Sequence, residues 1–303
     1  MATIGYSYDD RAVREDLLGV LTNLTPTETQ LVTGLGVSEA KSTLHEWLVD
    51  TLTSVKANAA AEGADAPGRT LTNPTRLTNV TQISAQDFSV TGTERAVNTA
   101  NFNDRYAYEA EKALKILKAD MELAIMCGTL TQSVVSTNDA RTLRGVKASV
   151  SNVSTAASSI SMTETIFNNY LQDVWDNGTV QVDEVYGDMY MKRKISSWTA
   201  GSTKFTKVED KRLINAVDVY ESDAAKVVKL FAHRYVNLDA TGSAVTGHDL
   251  VGINAESFRI AYLRKPELLE IAKTGDADTA EYVVEYTLEC LNPLGGFAAK
   301  MYL

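Results

Sequence analysis

Apolar residues recur at three- and four-residue steps through one long stretch, Asn101 to Gly128. There Tyr106, Ala110, Ala113, Leu117, Met121 and Ala124 share a stripe while Arg105, Glu109, Lys112 and Lys115 face away. The spacing predicts a helix of unusual length, capped by Asn101 or Asn103 and ended by a left-handed Gly128. A second helix is predicted after the capping-box pattern Ser161-Met162-Thr163-Glu164. It carries Ile166, Phe167, Tyr170, Leu171, Val174 and Trp175 on one face and stops at Gly178.

Elsewhere the period is two. From Lys41 the chain alternates Leu44, Glu46, Leu48 and Asp50 with His45, Trp47 and Val49, and a second strand pattern runs from Leu77 to Thr91 with one interruption of the kind a bulge makes. Between them lies SVKANAAAEGADAPGRTLTNPTR, poor in large apolar residues. Loops beyond about 12–15 residues are uncommon inside a compact domain, so this pair reads as a projecting arm with a long tip. A lone hairpin is marginal in water, so Trp47, Ile83 and Phe88 are expected to bury against another surface, which implies a subunit contact.

Strands are also predicted over Val182 to Tyr190, over Ala216 to Val236 about the turn Glu221-Ser222-Asp223, over Leu250 to Leu263, and over Glu281 to Cys290. A short helix or turn is expected from Met191 to Trp198. A closing strand from Phe297 to Leu303 is expected to lie back beside the long helix. The class is therefore α+β.

Composition narrows the function. With 29 Lys and Arg against 39 Asp and Glu, the net charge is -10, which argues against a protein that neutralises DNA phosphates. The N-terminal stretch has no apolar signal core and no apolar run is long enough to cross a bilayer, so a soluble, intracellular product is expected. Cys127 and Cys290 belong to no CxxC pair and read as buried free thiols.

The order of arm, hairpin, long helix, inserted α+β body and closing sheet resembles the HK97-type phage major capsid protein. Local strings support this: Thr25-Pro26-Thr27-Glu28-Thr29, His45-Glu46-Trp47 with Asp50, Glu62-Gly63, Pro74-Thr75-Arg76-Leu77 with Asn79 and Gln82, Gly92-Thr93, and Ala140-Arg141 with Leu143 and Gly145. Together they are similar to the major head proteins of the SU10-like family of tailed phages, with Gln30 standing where proline is expected.

That resemblance implies an N-arm over 1–40 and an extended hairpin, the E-loop, over 41–92. A peripheral domain follows over 93–150 and 276–303 with its spine helix at 101–128, and an axial domain over 151–275. It further implies a homo-oligomer, with hexamers and pentamers closing an icosahedral shell around double-stranded DNA. The virion capsid would be assembled in the host cytoplasm, with scaffold, portal and decoration proteins as partners. DNA would be touched only weakly and without sequence preference, and no membrane is involved. No long helical region precedes the arm, so a separate scaffold or a removed precursor segment is expected.

No catalytic constellation is legible, and neither a cofactor nor a metal is implied. His45, His233 and His248 are isolated in sequence; Gly34-Leu35-Gly36 and Gly36-Val37-Ser38-Glu39-Ala40 lack the context of a dinucleotide fingerprint or a nucleophile elbow. Lys56 and Asn292 are nearest in kind to the lysine and asparagine that some HK97-type shells crosslink, but read better as a solvated lysine and a turn residue. The inter-subunit candidates are Trp47, Glu62, Asp65, Arg69, Arg76, Ile83 and Phe88, the arginines forking onto a neighbour's carboxylates. The rivals are an encapsulin-like compartment shell, a monomeric binding or enzymatic α+β domain whose hairpin is a flap, and a fibre or tail-decoration protein.

Overall fold

The computed structural model describes residues 28–52, 55–63, 65, 73–97, 104–131, 140–155, 161–178, 180–198, 219–222, 225–273 and 275–301. Arg69, Asn101 and Asn103 lie outside the described residues, as does most of the expected N-arm. In chain order the first elements are α1 (Gln30–Gly34), β1 (Gly36–Glu39), β2 (Leu44–Val49), β3 (Thr75–Val80), β4 (Gln82–Thr91), α2 (Gly92–Ala96) and α3 (Arg105–Cys127). Next come α4 (Val146–Ser149), β5 (Asn152–Thr155), α5 (Glu164–Asn177), β6 (Glu184–Gly187), α6 (Met189–Trp198), β7 (Val219–Ser222) and β8 (Ala225–Ala232). The last are β9 (His248–Ile253), β10 (Phe258–Ile271), β11 (Ala277–Cys290) and β12 (Phe297–Met301).

The long helix α3 starts later than expected: Asp104 is the N-cap, its Oδ1 accepting from the Tyr106 N–H at 2.9 Å. Its apolar stripe is buried from Ala113 through Leu117, Met121 and Ile125. Gly128 ends it, but at φ −52° rather than in the left-handed region. Glycine is needed there for space, since a Cβ would meet the Ala124 carbonyl oxygen at 2.5 Å and that of Leu143 at 2.7 Å. Helix α5 takes its N-cap two residues after the Ser161 cap of the predicted capping box, at Thr163, whose Oγ1 accepts from the Ile166 N–H, and it buries Phe167, Leu171 and Val174. Trp175 faces outward instead of joining that face.

Three sheets organise the body: four strands in the order β1-β10-β11-β4, six in the order β5-β12-β9-β6-β8-β7, and the pair β2-β3. The strand expected from Leu77 to Thr91 is two strands broken at Thr81: β3 pairs with β2, whereas β4 pairs with β11. Long strands β10 and β11 run antiparallel beneath α3, with register shifts around Arg264. The main core gathers Leu117, Met121 and Ile125 of α3 with Phe258, Ile260, Val284, Tyr286 and Leu288 of this sheet.

The two larger sheets do not divide the chain at Gly275. Strand β10 belongs with α3 and β11, and the closing strand β12 lies not beside the long helix but in the six-stranded sheet between β5 and β9. Packing explains the second placement. The Phe297 ring stacks on Tyr170 of α5 at 5.4 Å and fills the second core with Phe167 and Leu171. Across from it a Cβ on Gly252 would stand 2.2 Å from that ring, so only glycine lets the two strands carry it.

Candidate functional site

The pair β2-β3 runs in antiparallel register from Leu44 opposite Val80 to Val49 opposite Thr75. Its inner side turns His45, Trp47 and Val49 toward the body, and its outer side presents Glu46 and Leu48. Past Val49 the connection to β3 carries Leu52 and Val55 at 96% and 103% exposure, with Lys56, Glu62 and Asp65 also exposed. Two fully exposed aliphatic side chains on one projecting segment have no burial within their own chain. Arg76 pairs with Glu46 of the same hairpin at 3.3 Å, a solvent-exposed contact that contributes little stability and leaves both groups reachable.

The remaining candidates separate. Ile83 stands on β4, 51% exposed. Phe88 is 8% exposed and closes a small core of its own chain with Ala113 and Ala280, its ring 5.1 Å from that of Tyr106. Trp47 is half-buried against the main core, where its indole N–H donates to the Cys290 carbonyl at 3.0 Å. Trp47 therefore anchors the arm to its own body.

Several residues of the resemblance strings, Asn79, Gln82, Arg141 and Leu143 among them, meet in space at this base. Asn79, buried, uses its whole hydrogen-bonding capacity: Nδ2 donates to the Leu288 and Arg144 carbonyls at 2.7 and 3.0 Å, and Oδ1 accepts from the N–H groups of Arg144 and Val80 at 2.8 and 2.9 Å. Gln82 Oε1 accepts from the Leu143 N–H at 3.2 Å. Glu285 binds Arg141 and Arg264, each at 3.1 Å, and accepts from the Thr81 hydroxyl at 2.8 Å. His45 Nε2 lies 2.6 Å from Glu289 Oε1.

A second junction was not legible beforehand. Glu122, 0% exposed on the buried side of α3, accepts from the Leu31 and Val32 N–H groups at the start of α1 and from His233 Nε2, all at 2.8 Å. One carboxylate thereby caps α1, whose own Thr29 side chain makes no cap bond, and ties it to the end of β8. The signal available in the sequence was a lone acid, Glu122, set one turn before Ile125 and Met126 on an apolar face.

Among the described residues no group of three or more His, Cys, Asp or Glu side chains is placed to hold a metal. Each histidine instead meets one carboxylate, His248 pairing with Asp188. A cleft of about 850 Å³ is lined by Gln30, Tyr190, Leu230 and Arg234, with Arg234 paired to Glu28 of the same lining. Asn292 shapes the final turn, its Oδ1 accepting from the Leu294 N–H at 3.1 Å.

Both cysteines are buried, which pushes the Cys127 thiol up to about 11 and the Cys290 thiol up to about 12. The reactive species is the thiolate, so the native chain at pH 8 is expected to leave a disulfide reagent unconsumed and to react at both thiols once unfolded. Rapid titration of either in the native chain would contradict this burial.

Comparison with known proteins bears on the whole chain. The family model described as SU10 major capsid protein matches residues 2–300. A curated relative, the major capsid protein of Escherichia phage Phieco32, is 29% identical over 137 residues, which are 44% of this chain and 38% of that relative. Among solved structures, the capsid asymmetric unit of Cyanophage A-1(L) superposes with a TM-score of 0.65 at 13% identity, covering 95% of this chain and 96% of that one. A Mycobacterium phage Adephagia chain gives 0.63 at 8% identity, covering 100% and 99%. The holo-SrpI encapsulin complex from Synechococcus elongatus gives 0.61 at 9% identity, covering 99% and 96%. At such identities the shared property is the fold, here that of HK97-type phage capsids.

Proposed function

The chain belongs to the SU10 major capsid protein family, and from that premise we propose that its function is association: it builds hexamers and pentamers that close an icosahedral shell around phage double-stranded DNA. The observation that carries this reading is the projecting arm. Leu52 and Val55 are offered to solvent by a hairpin whose base is bonded to the body at Trp47, Asn79 and Thr81, as a contact made by a neighbour requires. Polar arm residues Glu62, Asp65 and Arg76 would set register, and scaffold, portal and decoration proteins would be further partners. The net charge of -10 suits a wall that lines packed DNA without gripping it.

In this reading the four-stranded sheet with α3 is the peripheral domain and the six-stranded sheet with α5 and α6 is the axial domain. Electron microscopy of the chain expressed alone and with its genomic neighbours tests it. Closed polyhedral shells or rings of five and six subunits support the proposal, and monodisperse monomers under both conditions overturn it. The fold likeness to an encapsulin supplies the rival content, so ultraviolet absorbance of purified shells separates nucleic acid from protein cargo.

Trp47→Ala removes the indole anchor of the arm. Fully buried tryptophans cost about 3–5 kcal/mol on truncation, and a half-buried one less, so the body stays folded while shell yield falls severalfold. Wild-type shell yield from this variant would show that the arm needs no anchor there.

A further inference from the structure

Thr81 is the one residue between strands of two different sheets, and every polar group it has is engaged. It is fully buried. Its N–H donates to the Thr43 carbonyl at 2.8 Å, where the other strand of the arm leaves the body. Its hydroxyl donates to Glu285 Oε1 at 2.8 Å, and its carbonyl accepts from Arg141 Nε at 3.3 Å. The N–H bond continues the β2-β3 ladder, so swinging the arm as a body loads the other two bonds, to Glu285 and Arg141.

Glu285 is the body's half of the contact. It lies on β11 opposite Ile83 and Arg264, and its side chain is 7% exposed. Oε1 accepts from Arg141 Nη2 as well as from Thr81, and Oε2 accepts from Arg264 Nε. Two guanidinium groups compensate the buried charge and leave the carboxylate one orientation. Arg264 sits between the two register shifts of β10, so an irregularity of the sheet is what brings it within reach.

We propose that Glu285, clamped by Arg141 and Arg264, is a positioning residue that fixes through Thr81 the angle at which the arm leaves the body. The inference rests on the shell-building reading, in which that angle sets where each neighbour docks and hence the curvature of the shell. A joint whose donors and acceptors are all paired narrows the range of angles open to the arm, and a narrower range at every copy gives a narrower spread of diameters.

The test compares the full chain with Thr81→Val, which deletes the hydroxyl at nearly constant shape, Thr81→Ser, which restores it, and Glu285→Gln. Amide exchange is followed in the unassembled protein, and shell diameters are measured by cryo-electron microscopy. In Thr81→Val and Glu285→Gln, exchange at Val80 to Gln82 is expected to rise roughly tenfold while Tyr286 to Cys290 keeps its protection, and diameters spread; Thr81→Ser behaves as wild type. Wild-type exchange and diameters in both altered variants would overturn the proposal. So would failure of Thr81→Ser to rescue, or exchange rising equally along all of β11. If the wild-type chain forms no shells, the shell-building reading falls while exchange at Val80 to Gln82 still decides the joint.

Discussion

Glu122→Ala is expected to cost about 3–5 kcal/mol, because it strips the acceptor from two buried donors and a part-buried third at once. The Leu31 N–H and His233 Nε2 bonds to the carboxylate are buried and the Val32 N–H bond is part-buried, and the α1 start has no other side-chain cap. His233 Nδ1 is already buried without a partner, so the site has no spare bonding to absorb the loss. Glu122→Gln keeps one acceptor oxygen and is expected to cost less, about 1–2 kcal/mol. Urea denaturation of the unassembled chain reads both, and limited proteolysis near α1 localises the damage. A Glu122→Ala chain within about 0.5 kcal/mol of wild type, the spread of ordinary surface changes, would mean that the junction holds without the carboxylate.

Changing Leu52 and Val55 together to aspartate is expected to abolish shells while leaving the unassembled chain as stable as before. Neither side chain touches its own body, so folding loses nothing, and surface changes of this kind shift stability by about 0.5 kcal/mol or less. An assembled neighbour would bury both, at about 1.5–3 kcal/mol per aliphatic side chain, and the substitution replaces that gain with two desolvated charges. The loss recurs at every copy in a closed shell, so a modest change per contact becomes all-or-none in the product. Sedimentation of the assembled fraction beside thermal melting of the monomer separates the two effects. Intact shells from the double variant would move the contact to Leu48, Ile83 and the polar arm residues.

Much of the chain was legible because local period reports which side of an element is buried. The stripe Ala113, Leu117, Met121 foretold α3, the Ser161 to Glu164 pattern foretold α5, and alternation from Leu44 to Val49 foretold the arm's first strand. The arm itself followed from a long stretch without core residues. Two of the strings that carried the resemblance share one place, since Asn79, Gln82, Arg141 and Leu143 meet at the hairpin's base.

What periodicity does not encode is the partner. By itself the sequence determined the two long helices, most strands, the hairpin and the acidic net charge. Only the tertiary structure decided that the strand through Thr81 serves two sheets, that Phe297 closes the six-stranded sheet, that Gly128 is glycine for space rather than for handedness, and that Phe88 and Trp47 are held by their own chain. Glu122 is the plainest case: its role depends on backbone groups about ninety residues earlier and a histidine 111 residues later. Such a contact leaves no local pattern, because its free energy comes from burial and from pairing between segments that only the folded chain brings together.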